Sequence, residues 1–212
     1  MKLKVCGLTN EENILDILRD IQPDYMGFIF YEGSSRFAEN KLYPEFVKEL
    51  PENIHKTGVF VDASEDYILD RAGQYGLSTL QMHGNETPHF CRRFTDKGYE
   101  VIKVFNIYES FDISAMNAYR NSCHFFLFDR AGKYKGGNGL KFNWDILQQY
   151  TLHKPYFLSG GVAPGDGAYI HNIKDQRLFA VDINSRFETR KGIKNAEHVK
   201  QFYKTLKTNG NG

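Results

Sequence analysis

Two reactive side chains stand where short apolar runs break into glycine-rich loops. Cys6 ends the run at residues 3–6, and Asp129 ends the run at residues 125–129. Parallel α/β proteins carry their chemistry at the carboxyl ends of the strands, so a thiol and a carboxylate placed there predict an acid/base pair. Each residue taken alone also fits a plainer role, because a buried cysteine packs as a small hydrophobe and an aspartate caps a following helix.

Two further loops have the composition of a phosphate site. Gly160 and Gly161 follow a later apolar run, and Asn184 and Ser185 follow the next one, where they are placed to open a short extra helix. Glycine lets the backbone approach an anion closely. Barrel proteins often bind phosphate between the loops that follow their last two strands. The paired glycines also fit a tight turn into Pro164.

Three other features have two interpretations each. Arg36 is suited to a two-point contact with a carboxylate, or is a solvated loop arginine. His83 orients a substrate or hydrogen-bonds to a neighbouring backbone group. The segment Gly132–Gly139 contains Gly136-Gly137 with Lys133 and Lys135. It suggests a lid that excludes water during turnover, or else a flexible surface loop.

An apolar run, a glycine-rich or polar loop and an amphipathic segment recur eight times along the chain. The apolar runs lie near residues 3–6, 24–30, 56–61, 78–83, 100–105, 124–129, 155–159 and 179–183. The helical segments lie near residues 11–20, 43–50, 65–75, 86–97, 110–121, 143–150, 165–173 and 195–206. Asn10, Ser64 and Asn143 are the start signals of three of them.

Strand alternating with helix predicts βαβ units and a parallel sheet. Eight units in about 200 residues fit an α/β protein of the (β/α)₈ (TIM) barrel class, at the small end of its size range. We expect one barrel over residues 1–207 and a flexible tail at 208–212. An open doubly wound sheet is the alternative, but it usually carries a G-x-G-x-x-G motif after its first strand, which Cys6–Asn10 lacks.

The parity of residues along the predicted strands separates polar from apolar side chains. Because strand side chains alternate between the barrel interior and the helices, residues of equal parity share a face. Thr79, Gln81 and His83 share one face and Leu80 and Met82 the other. In the first run, Lys4 and Cys6 lie on the face opposite to that of Leu3 and Val5. In the last run, Asp182 lies on the face opposite to that of Val181 and Ile183. The pattern predicts a polar barrel mouth.

Composition narrows the possible partners. The 212 residues carry 27 basic and 26 acidic side chains, and a net charge of +1 gives no indication of nucleic-acid binding. No apolar h-region is visible at the amino terminus, and no apolar stretch approaches the roughly 20 residues of a membrane span. Three scattered cysteines form neither a disulfide framework nor a C-x-x-C pair. We therefore expect a cytoplasmic protein without a zinc site, acting as a monomer or homodimer on a small molecule.

An ordered set of motifs over nearly the whole chain resembles the phosphoribosylanthranilate isomerase family of tryptophan biosynthesis. The matching segments are Lys4–Thr9, Gly27–Phe30, Ser35-Arg36, Gly58–Val61, Gln81–Gly84, Asp129, Gly136–Gly139, Phe142–Trp144, Leu158–Val162, Val181–Ser185, Glu188, Gly192 and Ile193-Lys194. The resemblance implies a (β/α)₈ barrel that isomerises N-(5′-phosphoribosyl)anthranilate by an Amadori rearrangement. It implies no cofactor or metal, because the substrate nitrogen serves as the electron sink.

The resemblance also implies roles for individual residues. Cys6 corresponds to the general base and Asp129 to the general acid. Arg36 corresponds to the arginine that faces the anthranilate carboxylate. The phosphate site corresponds to the loops at residues 160–161 and 184–185. Cys6 then needs thiolate character, for which Lys4 is a candidate source, and Asp129 needs a raised pKa.

The chain departs from the family pattern at two places. Ser34-Ser35-Arg36 replaces the usual Ser-Pro-Arg, and Arg186 stands where the family has glycine. Three other functions are alternatives to the isomerase. Indole-glycerol-phosphate synthase uses lysine and glutamate, and ribulose-phosphate epimerase uses metal-bound carboxylates, so the Cys6 and Asp129 pair argues against both. A catalytically silent phosphate-binding barrel is the third.

Overall fold

Eight parallel strands close into a barrel, each paired with the next along the chain and the last with the first. The computed structural model describes residues 1–107, 110–130 and 144–207, with Arg130 described by its backbone alone. The strands are β1 (Lys2–Cys6), β2 (Tyr25–Ile29), β3 (His55–Phe60), β4 (Thr79–Met82), β5 (Glu100–Ile107), β6 (Phe125–Arg130), β7 (Tyr156–Leu158) and β8 (Leu178–Ile183). The predicted (β/α)₈ barrel is confirmed, and the open sheet is excluded.

The two faces of each strand are filled as parity predicts. Leu3, Val5, Leu80 and Met82 are fully buried and belong to the large apolar cluster that packs the strands against the helices. A second apolar cluster belongs to the opposite, inner face, and its members are Tyr25, Ile102, Val104, Leu127, Phe157 and Ala180. On the same face, Cys6, Gln81 and Asp129 lie at or near the carboxyl ends of their strands. The barrel is thus apolar in its lower interior and polar at its mouth.

The helices that cover the barrel are short. They are α1 (Glu11–Asp20), α2 (Pro44–Lys48), α3 (Glu65–Tyr75), α4 (Pro88–Thr95), α5 (Ile113–Asn117), α6 (Gly167–His171) and α7 (Ala196–Lys207). The predicted caps of α1 and α3 are present: the side chain of Asn10 accepts from the Asn13 N–H at 2.8 Å, and that of Ser64 accepts from the Tyr67 N–H at 3.3 Å. Each cap satisfies a backbone donor at the point where its helix begins.

Two predicted helices differ from expectation. The segment 110–121 yields only α5, because Asp112 caps the helix late and the backbone after Asn117 turns through i→i−3 hydrogen bonds. Within the helix predicted at 143–150, the residues Trp144–Gln149 form a 3₁₀-helix, in which the three-residue turn brings Trp144 and Leu147 to one side. The start signal at Asn143, the lid predicted at 132–139 and the tail at 208–212 lie outside the described residues.

A hairpin that the sequence pattern did not indicate follows β8. After a single 3₁₀ turn at Ser185–Phe187, the short extra helix expected there, β9 (Glu188–Arg190) pairs antiparallel with β10 (Ile193–Lys194). Short 3₁₀ geometry also begins the segment before α6, at Pro164–Asp166. Within the described part of the chain, no helix has both the length and the apolar character needed to cross a bilayer.

Candidate active site

Cys6 lies at the carboxyl end of β1, with its sulfur in a gap left by a glycine on the next strand. Gly27 is its register partner on β2, and a Cβ atom there would lie 2.7 Å from the Cys6 Sγ. The chain then turns at Gly7, whose φ of 75° is left-handed. A Cβ at Gly7 would come within 2.6 Å of the Asn184 Oδ1. Both glycines therefore make room for site side chains, and Cys6 is 3% exposed.

A buried ion pair lies beside the thiol, on the inner face of the barrel. Lys4 is opposite Asp182 in the register of β1 and β8, and its Nζ donates to Asp182 Oδ1 at 2.9 Å. Burial raises the pKa of the Cys6 thiol, and the charge of Asp182 raises it further, while Lys4 and Lys194 oppose both effects. The pKa of Cys6 therefore lies above its ordinary value, which favours the neutral thiol near neutral pH.

Asp129 projects from β6 on the inner face and meets His83, the residue that follows β4. The Nε2 of His83 lies 3.6 Å from Asp129 Oδ2, and the two side chains are 29% and 28% exposed. The Nδ1 of His83 lies 3.3 Å from the amide Nε2 of Gln81. Burial, together with the charges of Lys4 and Lys103, lowers the pKa of His83 to about 4. The imidazole beside Asp129 is therefore neutral at physiological pH.

A buried ion pair holds the loop that follows His83. Lys103 Nζ lies 2.9 Å from Glu86 Oε2 and donates to the Gly84 carbonyl at 2.7 Å. Glu86 in turn accepts from the backbone N–H groups of Gly84 and Asp62. A sequence signal for this pair is the presence of a lysine, Lys103, in the middle of an otherwise apolar strand. The loop bearing His83 is consequently fixed on three sides.

Arg36 lies in the loop after β2 and forms a two-point salt bridge. Its Nε and Nη2 donate to Oε1 and Oε2 of Glu188 at 2.7 and 2.6 Å. Lys194, fully buried, donates to the same Glu188 at 2.7 Å and to Asn184 Oδ1 at 2.7 Å. Burial opposes ionisation of Glu188, but Arg36 and Lys194 hold the pKa of that carboxyl below its ordinary value. Arg36 is thus a half-buried, fixed cation and not a solvated one.

The two predicted phosphate loops lie side by side, because β7 pairs with β8. Gly160 and Gly161 both have left-handed backbones, with φ of 79° and 78°. Ser185 begins the 3₁₀ turn after β8, and Asn184 precedes it. The Asn184 Oδ1 accepts from the Lys194 Nζ at 2.7 Å, which fixes the orientation of this side chain beside the loop.

All the predicted site residues lie at the carboxyl ends of strands or in the loops that follow them. Cys6, Asp129 and His83 share the polar mouth, with Arg36 on the side of β2 and β8 and the two phosphate loops after β7 and β8. Sequence reasoning missed Glu188 as the partner of Arg36, and Lys194 as the second partner of Glu188, since no local pattern links Arg36 to residues so distant along the chain. Both residues belong to the motifs that carry the family resemblance.

Three comparisons with known proteins indicate the same family. Residues 3–205 match the family model described as N-(5'phosphoribosyl)anthranilate (PRA) isomerase. A protein of Phocaeicola vulgatus named N-(5'-phosphoribosyl)anthranilate isomerase is 41% identical over 207 residues, which span 98% of each chain. The crystal structure of phosphoribosyl anthranilate isomerase from Thermotoga maritima superposes with a TM-score of 0.82 at 30% identity, covering 98% of both chains.

A further solved structure carries a bound ligand. It is phosphoribosyl anthranilate isomerase in complex with reduced 1-(o-carboxyphenylamino)-1-deoxyribulose 5-phosphate. This chain is similar to it with a TM-score of 0.79 at 29% identity, again over 98% of both chains.

Proposed function

The chain belongs to the N-(5'-phosphoribosyl)anthranilate isomerase family, and we propose that Cys6 and Asp129 carry out its acid/base chemistry. It is an isomerase of tryptophan biosynthesis that converts N-(5'-phosphoribosyl)anthranilate to 1-(2-carboxyphenylamino)-1-deoxyribulose 5-phosphate. The observation that carries the assignment of residues is that a thiol and a carboxylate stand on the inner face of one barrel mouth, each beside a neutral or cationic nitrogen group.

The first step is the opening of the ribose ring. Asp129 donates its proton to the ring oxygen as the bond from that oxygen to C1′ breaks, and the anthranilate nitrogen supplies the electron pair that forms the C1′ imine. His83, neutral and within 3.6 Å of Asp129, places no full positive charge beside the acid. A cation there would favour the carboxylate and work against proton donation.

The second step moves a proton from carbon. Cys6, as thiolate, takes the proton of C2′, and the electrons of that bond flow to the imine nitrogen to give an enolamine. The enolamine then tautomerises to the ketone of the product. The substrate nitrogen accepts the electron pair, so one acid and one base are sufficient for the chemistry.

The substrate has an anion at each end, and the site has a matching group for each. We assign the anthranilate carboxylate to Arg36, which keeps three of its five N–H donors after its contact with Glu188. We assign the phosphate to the backbone of Gly160, Gly161, Asn184 and Ser185, where left-handed glycines allow close approach. His83 orients the bound substrate between these two ends.

Loss of phosphoribosylanthranilate fluorescence in single variants tests the assignment. We expect Cys6→Ser and Asp129→Asn each to lower kcat by about 10²–10⁴-fold, the usual worth of an acid/base group, with little change in KM. Cys123→Ser is the matched control, because the Sγ of this cysteine donates to the Tyr119 carbonyl and the residue packs in the apolar cluster outside the barrel interior. Near-normal turnover in either site variant would remove that residue from the mechanism. A silent phosphate-binding barrel would show no turnover in any variant.

We also propose that the enzyme acts in the cytoplasm as a monomer or homodimer. All three cysteines are free and buried, which fits a reducing compartment.

A further inference from the structure

A lysine without solvent contact occupies the barrel interior directly below the catalytic mouth. Lys4 is 0% exposed, and its ion-pair partner Asp182 is 6% exposed. Layers of branched apolar side chains ordinarily fill this part of a barrel. A buried ion pair is a weak source of stability, because taking both charges out of water offsets most of their attraction. Its presence here calls for a role besides packing.

We propose that Lys4 is a positioning residue for the isomerisation: its ammonium stabilises Cys6 as the thiolate that takes the C2′ proton, and Asp182 holds that ammonium in place. The proposal rests on the role of Cys6 as the base. The proton that leaves the thiol passes to solvent, and the thiolate and ammonium remain as a buried pair.

The strand geometry brings the two groups together. Lys4 and Cys6 are two residues apart on β1, so they share the inner face with Cα atoms about 6.6 Å apart. The positive charge of Lys4 lowers the pKa of Cys6 and so favours the thiolate, against the effect of burial. Burial opposes the charge of Lys4, but Asp182 and its hydrogen bond keep the pKa of Lys4 above its ordinary value, so the lysine stays cationic.

Other charged groups face Cys6 from three neighbouring elements. They are Asp182 on β8, Lys194 on β10 and Arg36 in the loop after β2. Lys194 and Arg36 are both tied to Glu188, whose carboxylate offsets part of their effect on the thiol. Among these cations, Lys4 shares the strand face of the sulfur and lowers the pKa of Cys6 most. It is therefore the group whose removal should alter the thiol most.

Asp182 acts on the thiol in two opposing ways. It fixes Lys4, but its own negative charge disfavours the thiolate. Its second oxygen accepts from the Ser159 hydroxyl at 3.3 Å, so this oxygen has a partner on the phosphate side of the site. Replacing Asp182 with asparagine keeps the shape and removes the charge. The pKa of Cys6 should then fall, whereas loss of Lys4 should raise it.

The test is the pH titration of the Cys6 thiol in the whole enzyme, followed by the ¹³Cβ chemical shift of labelled cysteine. The signal is assigned with Cys6→Ser. Cys91 and Cys123, whose pKa values burial raises to about 12, are internal references that should stay flat near neutral pH. We expect Lys4→Met to raise the Cys6 midpoint by about one pH unit or more, a tenfold loss of thiolate at fixed pH. Lys4→Arg should keep the Cys6 midpoint near that of the wild type, and Asp182→Asn should lower the midpoint.

Lys2→Met is the matched control, since Lys2 is on the same face of β1 but its Nζ lies over the Phe179 ring at 4.8 Å. Equal Cys6 midpoints in wild type and Lys4→Met would overturn the proposal. Lys4→Gln, which is polar and uncharged, decides the matter if Lys4→Met does not fold, because an unchanged midpoint there would overturn the proposal as well. A thiol that stays protonated in every variant up to the pH of unfolding would also overturn it.

Turnover separates this proposal from the one on which it rests. Lys4→Met should lower kcat at neutral pH, and kcat should recover as pH rises, with KM little changed. Normal activity of Cys6→Ser would end the role of Cys6 as base, while the midpoints would still report whether Lys4 tunes the thiol.

Discussion

The guanidinium of Arg36 and the carboxylate of Glu188 meet in a two-point salt bridge, with N–O distances of 2.7 and 2.6 Å. The bridge joins the loop after β2 to the hairpin after β8, 152 residues further along the chain. Planar, two-point pairing fixes the orientation of the guanidinium as well as its position. Arg36 therefore presents its remaining donors in a set direction before any ligand arrives.

We expect Arg36→Ala to weaken binding of the anthranilate end of the substrate. Loss of a charge-assisted contact is worth about 1.5–3 kcal/mol, because the ligand carboxylate then has no cationic donor. Product-like ligands that carry the carboxylate should lose affinity by that amount, whereas inorganic phosphate should lose little. Isothermal titration of both ligand classes measures the difference.

Glu188→Gln is the matched control for that experiment. It keeps the length of the side chain and removes its charge, so Arg36 and Lys194 lose their shared counter-ion. Carboxylate binding should weaken less than in Arg36→Ala, because Arg36 keeps its charge and loses only its fixed orientation, while the free energy of unfolding should fall by about 3–5 kcal/mol, as for a broken buried pair. Equal loss of ligand affinity in both variants would mean that Arg36 serves only to hold the hairpin.

The low pKa of His83 predicts acid sensitivity. Its folded pKa of about 4 lies below the ordinary value of 6.5, so the unfolded chain takes up a proton first. The contribution of His83 to stability is complete above about pH 6.5 and is lost as pH falls toward 4. Urea unfolding at pH 7.5 and 5 should show a smaller loss of stability in His83→Gln than in wild type.

A surface histidine supplies the comparison for the acid experiment. His198 is an exposed residue of α7, and His198→Gln removes a histidine without touching the site. If His83→Gln loses as much stability as wild type between the two pH values, acid sensitivity arises elsewhere in the chain.

The sequence predicted those parts of the molecule that depend on local patterns. The bounds of α1 and α3 follow from the caps Asn10 and Ser64, and the inner and outer faces of the strands follow from parity. The chain also placed Cys6 and Asp129 at strand ends. The 3₁₀ segment and the short α5 were mispredicted, because amphipathic spacing does not distinguish a four-residue turn from a three-residue turn over so few residues.

The contacts that support the site were beyond such reasoning. The hydrogen bond between Lys4 and Asp182 joins residues 178 apart, and that between Asn13 and Lys194 joins residues 181 apart. Which distant charges meet depends on how the strands close into a barrel and on their register, which no window of sequence contains. The raised pKa of Cys6 depends on burial in the same way.

The space above Gly27 predicts a steric route to lower activity. An alanine Cβ there would lie 2.7 Å from the Cys6 sulfur, and the Cys6 backbone is nearly as close, so the thiol must shift. We expect Gly27→Ala to fold but to lose about tenfold or more in kcat, because acid/base groups act only in position. Gly73→Ala is the control, since nothing lies within 4 Å of its added methyl in α3. Full activity in Gly27→Ala would mean that the sulfur has free room to move.

The last prediction concerns the loop at Gly160 and Gly161. If their backbone N–H groups bind the substrate phosphate, a negative charge placed there should repel the dianion in a partly desolvated site. Any substitution at Gly161 also strains its left-handed backbone, so charge must be separated from strain. Gly161→Asn and Gly161→Asp have the same size and tolerate left-handed φ alike.

We expect Gly161→Asp to raise KM well beyond Gly161→Asn, with inorganic phosphate losing affinity in parallel. Equal KM values in the two variants would place the phosphate elsewhere.

Arg186, an exposed residue of the 3₁₀ turn that follows Asn184, allows a second test of the phosphate site. Arg186→Gly introduces the residue usual in the family. We expect it to reduce the free energy of phosphate binding by under about 1 kcal/mol, as for a partly exposed ion pair. A larger loss would make Arg186 a direct phosphate ligand, because a solvated charge does not contribute that much.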